Sequence, residues 1–454
     1  MPLSELPPPV SPDGQDLPLL RVAPPGPLSR SWVVRLERVE SPAFGVRRGS
    51  RADVADVEQA PIVYASASGA NVFDVDGNRY VDLTAGFGAM LLGHAAARTA
   101  RALEMQSARL WHALGDVYAS DGRIALMERV AALYPQKGAR VILGQSGADA
   151  VTAALKTAVL ATGKPGVLAF EGAYHGMSYA PLAALGLRAS YRDPFREQLS
   201  PHVRFVPFPA RADDVDKALS AIDTQLARGD IGAVLVEPVL GRGGCIPAPA
   251  RFLVELASRA RAAGALLVAD EIWTGLGRSG AMLASVDEGV VPDLVCLGKG
   301  LGGGLPLSAC VGGDAIMSAW GKGPSEVIHT ATFNGSPLAC ATGIALLDAV
   351  RADRLADRSA TVGTSFRESL RESLLELPSV VSVRGRGLMV GVELGSAALA
   401  LAIARDLLGS GWIVLTGGTR GDVLTLTPPL NISESLLDAF VSALHGAVAA
   451  REQA

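Results

Sequence analysis

The stretch Leu266-Leu267-Val268-Ala269-Asp270-Glu271-Ile272, read together with Leu294-Val295-Cys296-Leu297-Gly298-Lys299-Gly300, decides the fold. Each begins with a continuous apolar run of strand length, which suits a strand covered on both faces. Each run then breaks abruptly into chemistry: two acids in the first, a lysine between glycines in the second. The same texture extends outward. Val141-Ile142-Leu143, Val167–Phe170 and Ala233–Val236 are further short apolar runs. Between them lie helical stretches such as 251–263, with Phe252, Leu253, Leu256 and Ala260 on one face and Gly264 to end it. Strands alternating with helices predict an α/β fold with a mostly parallel sheet.

Further outward the pattern changes. Phe73–Leu83 predicts a hairpin turning at Asp76-Gly77. Beyond about residue 345, helices at 359–377, 397–408 and 434–450 surround short strands near 380–383, 389–393 and 423–427. The last helix carries Leu437, Phe440, Val441, Leu444 and Val448 on one stripe. We therefore expect an N-terminal arm and first part of a small domain (1–95), a large α/β domain (96–345) and a smaller α+β domain (346–454). Residues 1–30, with Pro7-Pro8-Pro9 and Pro24-Pro25, read as a loose arm, because proline forbids regular helix there.

Bulk properties exclude several classes. The chain has 454 residues, 49% apolar and 19% charged, with a net charge of −4. That is a globular composition with no basic run to meet a nucleic acid. No apolar stretch is long enough to span a membrane. The N-terminus lacks the basic-then-apolar pattern of a secretory signal. Cys245, Cys296, Cys310 and Cys340 are scattered, form no metal-ligand spacing, and read as small core residues of a cytoplasmic protein.

Three sites carry chemistry. Ser146-Gly147-Ala148 opens a helix after a strand, with Asp149 placed for a capping box. A helix N-terminus also suits a phosphate; taken alone, the pattern fits an ordinary capped helix better. Asp270 ends a strand at the sheet edge where α/β ligand sites form. A carboxylate there needs a cation or donors, whether in an ion pair or at a protonated ring nitrogen. Lys299 sits among glycines that allow something bulky to approach, either as a solvated side chain or as a nucleophilic amine. Gly298, Gly300 and Gly303 also match G-x-G-x-x-G. A β-like run, Leu305–Val311, follows instead of a helix, so the dinucleotide reading fails. A phosphate cradle, a partner for a ring nitrogen and an amine for an aldehyde are together what pyridoxal 5'-phosphate (PLP) requires.

At this point the sequence resembles the class III PLP-dependent aminotransferases, the ornithine, 4-aminobutyrate and ω-amino acid group, from about Pro61 to Ile432. Asp270-Glu271-Ile272-Trp273-Thr274-Gly275-Leu276-Gly277-Arg278-Ser279-Gly280 resembles the family signature. So do Pro292-Asp293-Leu294 leading to Lys299, Tyr174-His175-Gly176, Thr332-Phe333-Asn334-Gly335 and Pro428-Pro429-Leu430. The resemblance implies fold type I and assigns roles. Lys299 holds PLP as a Schiff base and moves the proton. Asp270 keeps the ring nitrogen protonated. Ser146, Gly147, Ala148 and Thr332 hold the phosphate, Thr332 from a neighbouring subunit. Tyr174 and Ile272 sandwich the ring, with His175 and Glu237 in support. It implies a homodimer or dimer of dimers, and no metal.

The chain also departs from that pattern. Trp273 stands where Gln is common. Arg242 stands where many members have Glu, and Thr425 where they have a carboxylate-binding Arg. Arg242 or Arg420 is then the expected substrate-carboxylate cation, with Phe87 and Trp273 lining the pocket. The expected activity is transfer of an amino group from an amine, ω-amino acid or amino acid to pyruvate or 2-oxoglutarate. A racemase, epimerase or aminomutase on the same scaffold, or a non-catalytic PLP-binding protein, are the alternatives.

Overall fold

The computed structural model describes residues 13–322 and 326–453. They form two compact units: Ala97–Ala360, and the described residues up to Ala96 joined with those from Thr361. The expected boundary near 345 falls inside the helix Pro337–Ala352, which belongs wholly to the first unit.

The larger unit is built on a seven-stranded sheet. Its strands are β1 (Arg140–Gly144), β2 (Gly166–Phe170), β3 (Val203–Val206), β4 (Ile231–Val236), β5 (Leu266–Asp270), β6 (Leu294–Leu297) and β7 (Ser308–Gly312). Their spatial order is β1-β7-β6-β5-β4-β2-β3. Six run parallel and β7 runs against both its neighbours. Alternate residues of each strand serve opposite faces, as a period of two requires. Leu168, Phe170, Val234, Val236 and Leu267 pack with the helices Val215–Leu226 and Phe252–Ala262. Val167, Ala169, Ala233, Leu235 and Val268 pack on the other face with the helix α1 (Gly147–Thr162). Covering both faces explains why the strands read as unbroken apolar runs.

Val151, Leu155, Ala158 and Val159, the apolar residues that recur along α1, do not all lie on its buried face. Ala150, Val151, Ala153, Ala154, Thr157 and Ala158 are buried, while Val159 is exposed. Small side chains let the helix backbone come close to the sheet, so alanines outcompete the larger residues for the inner face. The helix 252–262 buries Phe252, Leu253, Leu256 and Ala260, the four residues its periodicity predicted.

α2 (Pro337–Ala352) pins the loop that follows Lys299. Thr342 Oγ1 donates to the Gly302 carbonyl at 2.7 Å. A side chain at Gly343 would come to 2.7 Å of the Leu301 oxygen, so glycine is required for this close approach.

The smaller unit holds two four-stranded sheets. One contains the hairpin Asn71–Asp74 and Arg79–Asp82, with Gly77 at φ 83° in its turn. The other contains Val380–Arg386, Met389–Leu394, Leu415–Gly417 and Val423–Leu426. Its closing helix, Glu434–Glu452, buries Leu437, Phe440, Val441, Leu444 and Val448.

The arm is not loose where it is described; Pro7-Pro8-Pro9 lies outside the described residues. Asp16 N–H donates to Asn71 Oδ1 (2.9 Å), Leu19 bridges Arg79, and Asn78 Oδ1 accepts from Arg21 and Val22 N–H (2.7 and 3.1 Å). Helices Pro27–Glu37 and Pro42–Ala55 then follow, each opened by the proline that composition alone reads as a breaker.

Candidate active site

The residues with chemistry gather at the carboxyl edge of the large sheet. β4, β5 and β6 are consecutive neighbours. Glu237 follows β4, Asp270 ends β5, and Lys299 lies three residues beyond Cys296, the register partner of Asp270. Tyr174 and His175 follow β2, and Ser146-Gly147-Ala148 follows β1. In an open parallel sheet this edge is where ligands bind.

Asp270 and His175 are both buried. His175 Nδ1–H donates to Asp270 Oδ2 at 2.7 Å, and Ile272 N–H donates to Oδ1 at 3.1 Å. Burial is the strongest influence on His175 and acts downward. The hydrogen bond and charge of Asp270 outweigh it, so the imidazole lies above its ordinary value. Its Nε2 is buried with no hydrogen-bond partner among the described residues.

Glu237 is a buried carboxyl whose burial pushes it up, against the pull of the His175 charge. Its oxygens accept from Tyr174 N–H (2.7 Å) and Gly241 N–H (2.9 Å). It thereby ties the Tyr174 segment to the loop carrying Arg242. The Arg242 guanidinium lies 5.1 Å from the centre of the Tyr174 ring, within cation–π range.

Lys299 opens a 3₁₀ turn over Lys299–Gly302, with its backbone at φ 42°. A non-glycine residue held in that region is strained, and such strain collects at functional positions. Burial pulls its amine down to about 7, opposed by Asp270 and Glu237 and assisted by Arg242 and Arg278. A lysine so placed is partly neutral at physiological pH and able to attack a carbonyl carbon.

At the start of α1 the capping box is complete: Ser146 Oγ accepts from Asp149 N–H, and the Asp149 carboxylate accepts from Ser146 N–H. The N–H groups of Gly147 and Ala148 have no acceptor among the described residues. Ile272 packs against this turn, where a side chain at Gly147 would come to 2.8 Å of Ile272 Cδ1.

Of the residues singled out in the sequence, this edge brings together Lys299, Asp270, Glu237, Tyr174, His175, Ile272, Trp273, Arg242 and the Ser146–Ala148 turn. Thr332 is exposed in the same unit, beside a cavity of about 240 Å³ that it lines with His112 and Leu114. Phe87 and Arg420 belong to the other unit. Phe87 is exposed at φ 61°, and Arg420 is engaged by Asp422 and Glu393. Two buried charges had been given no role. Glu271 accepts from Ser285 N–H and Oγ (both 2.7 Å) and from Thr274 Oγ1, so it fastens the segment after β5. Arg278 is fully buried, and burial pulls it down to about 9. The sequence signal of Arg278 was a charge among small residues, which a solvated loop shares, and that of Glu271 was a second acid directly after a strand.

The model of the aminotransferase class-III family matches residues 54–448. The chain is a class-III aminotransferase. Members of this family use PLP to transfer amino groups, and their fold is type I. The racemase, aminomutase and non-catalytic readings give way to transamination. The chain is 34% identical to an acetylornithine aminotransferase of Methanothermobacter thermautotrophicus over 85% of its length and 93% of that enzyme. It is 33% identical to a 4-aminobutyrate aminotransferase of Mycobacterium tuberculosis over 91% and 94% of the two chains. A PLP-bound amine transaminase from an uncultivated Pseudomonas species superposes with a TM-score of 0.81 at 30% identity, covering 86% of this chain and 95% of that one. Among the described residues no group of side chains could hold a metal ion, and no helix is long and apolar enough to cross a membrane.

Proposed function

We propose that this aminotransferase takes its amino group from a substrate bearing a carboxylate at the far end of its chain, an ω-amino acid or an acylated diamino acid, and passes it to pyruvate or 2-oxoglutarate. The names of the relatives support that substrate class. The observation that carries it is Arg242: its guanidinium lies over the Tyr174 ring, and no carboxylate pairs with it among the described residues. Arg420, the other cation considered, is already engaged by two carboxylates. An arginine fork is matched to a carboxylate in shape and charge.

The residues present fit PLP. Two N–H groups without acceptors at the start of α1 suit its phosphate, a buried carboxylate suits its ring nitrogen, and an amine packed against the Trp273 ring suits its aldehyde. PLP supplies an aldehyde that accepts amines and a ring that takes up the electrons left when a proton is removed from a neighbouring carbon. The chain does the rest. Gly147 and Ala148 hold the phosphate at the positive end of α1. Asp270, fixed by His175 and Ile272 N–H, meets the ring nitrogen. Tyr174 and Ile272 bracket the ring, and Glu237 positions Tyr174. Lys299, once its amine is free, takes the proton from substrate carbon and returns it.

We also propose a cytoplasmic homodimer. Thr332 lies exposed next to Phe333 and lines one cavity with Leu114 and Val117; these three and Trp111, in the same 111–117 segment, are large apolar side chains that a monomer would leave in water. A two-fold copy covering them would bring Thr332 to a second site. None of the four cysteines is in a disulfide and all are buried, in keeping with a reducing compartment.

The test is a set of half-reactions. Loss of the absorbance at about 420 nm, where a PLP–lysine adduct absorbs, would be followed with 4-aminobutyrate, N-acetylornithine, L-glutamate, L-alanine and a simple alkylamine. Bleaching by the first two, at concentrations raised about 10–100-fold in Arg242→Ala, is expected. Equal bleaching by the alkylamine with no effect of Arg242→Ala would defeat the proposal.

A further inference from the structure

We propose that Trp273 is the positioning residue for Lys299: its indole face seats the ε-amine whenever that lysine stands free of the cofactor. This rests on Lys299 being the cofactor-binding lysine. Lys299 Nζ lies 3.8 Å from the centre of the Trp273 ring. Trp273 is only 7% exposed. It sits on the turn directly after β5, and Lys299 on the turn directly after the neighbouring strand β6. Neither side chain is held there by a hydrogen bond. The Trp273 Nε1–H is buried with no partner, and no acceptor takes a hydrogen bond from Nζ among the described residues. The face of the ring is therefore what meets the amine.

An indole carries negative potential on its face and attracts an ammonium, but has no comparable attraction for a neutral amine. The seat thus holds the protonated lysine and lets go when the proton leaves. A neutral amine can then condense with an aldehyde: a C=N bond forms, and the carbonyl oxygen departs as water with the amine's two hydrogens. The other charges acting on Lys299 come from every neighbouring element. Asp270 at the end of β5 and Glu237 after β4 favour its ammonium. Arg242 and Arg278 oppose it, and His175 shares Asp270. Trp273 adds an uncharged contact that distinguishes the two protonation states. It also fixes where a flexible four-carbon side chain points, starting from a backbone already confined at φ 42°.

The experiment measures cofactor capture. Full-length protein stripped of PLP is mixed with PLP, and the rise at about 420 nm is timed from about pH 5 to pH 9 for wild type, Trp273→Phe and Trp273→Leu. The ring favours the protonated amine, so its loss lowers the pH at which the amine becomes free. The acid midpoint should fall by about one pH unit in Trp273→Leu, with capture about tenfold faster on the acid side. Trp273→Phe, which keeps a weaker π face, should shift it by less than half as much. An unchanged midpoint in Trp273→Leu overturns the proposal. An upward shift overturns it too, because that is what admitting water to a buried ammonium would do. Should Trp273→Leu fail to fold by circular dichroism, Trp273→Phe decides: a downward shift supports the seat and no shift rejects it. Lys299→Ala separates the two levels. If it still develops the band like wild type, the reading of Lys299 fails. If it loses the band while the Trp273 variants keep the wild-type midpoint, only the seat fails.

Discussion

The loop around Lys299 and the loop around Thr332 belong to one unit and are built in opposite ways. Lys299 is half-buried, strained and hemmed in by Trp273, Asp270 and the Gly302–Thr342 hydrogen bond. Thr332 is exposed, and Val327, Ile328 and Phe333 around it are exposed as well. The few anchors on that second loop are peripheral, such as Lys156 Nζ to the Ile328 carbonyl and Thr330 Oγ1 to Asp116. One folded chain is enough to set a lysine's chemistry. It leaves the threonine loop unfinished, which is what a surface completed by a second copy looks like.

The sharpest way to break this comparison is at its finished end. Lys299→Ala should lower transamination on the order of 10⁴-fold or more and abolish the absorbance at about 420 nm. Asp270→Asn should lower turnover by roughly 10²–10³-fold, by analogy with removing one electrostatic group from a preorganised site. Titrating PLP into the protein by absorbance would show weaker binding in the same variant. Residual activity near wild type in either variant would move the chemistry elsewhere.

The unfinished end is tested by charge. Trp111→Glu places a carboxylate on the exposed apolar surface. It should weaken self-association by about 30-fold or more, read by analytical ultracentrifugation, and activity should fall in step with the dimer fraction. A wild-type chain that sediments as a fully active monomer would end the dimer proposal. The smallest expected effect is at the phosphate turn. Ser146→Ala removes a cap worth about 1 kcal/mol. The melting temperature should drop by about 2–4 °C with the capture midpoint unchanged, since Ser146 does not touch Lys299.

The amphipathic helices were legible because their periodicity is set by which face meets the core. Helices 252–262 and 434–452 bury the residues their spacing marks. The inner face of α1 was not legible in the same way, because alanine carries little signal in a pattern yet packs closest to a sheet. The arm was misread for the opposite reason. Its prolines exclude helix interior, but they also start helices, and the contacts of Asn71, Asn78 and Arg79 show that residues 16–22 are held.

The sequence by itself determined the alternation of buried strands and helices, the acid and the lysine at strand ends, and hence the family. Those are local properties: an apolar run, a turn and a charged residue lie within a few positions of one another. Tertiary structure alone decided that Asp270 meets His175, that Glu237 ties Tyr174 to the loop of Arg242, that Arg420 is engaged, and that the Trp273 ring lies against Lys299. Apart from the local Arg420–Asp422 and Glu237–Gly241 contacts, these join residues well separated in the chain, and strand order, not spacing in the sequence, brings them within reach.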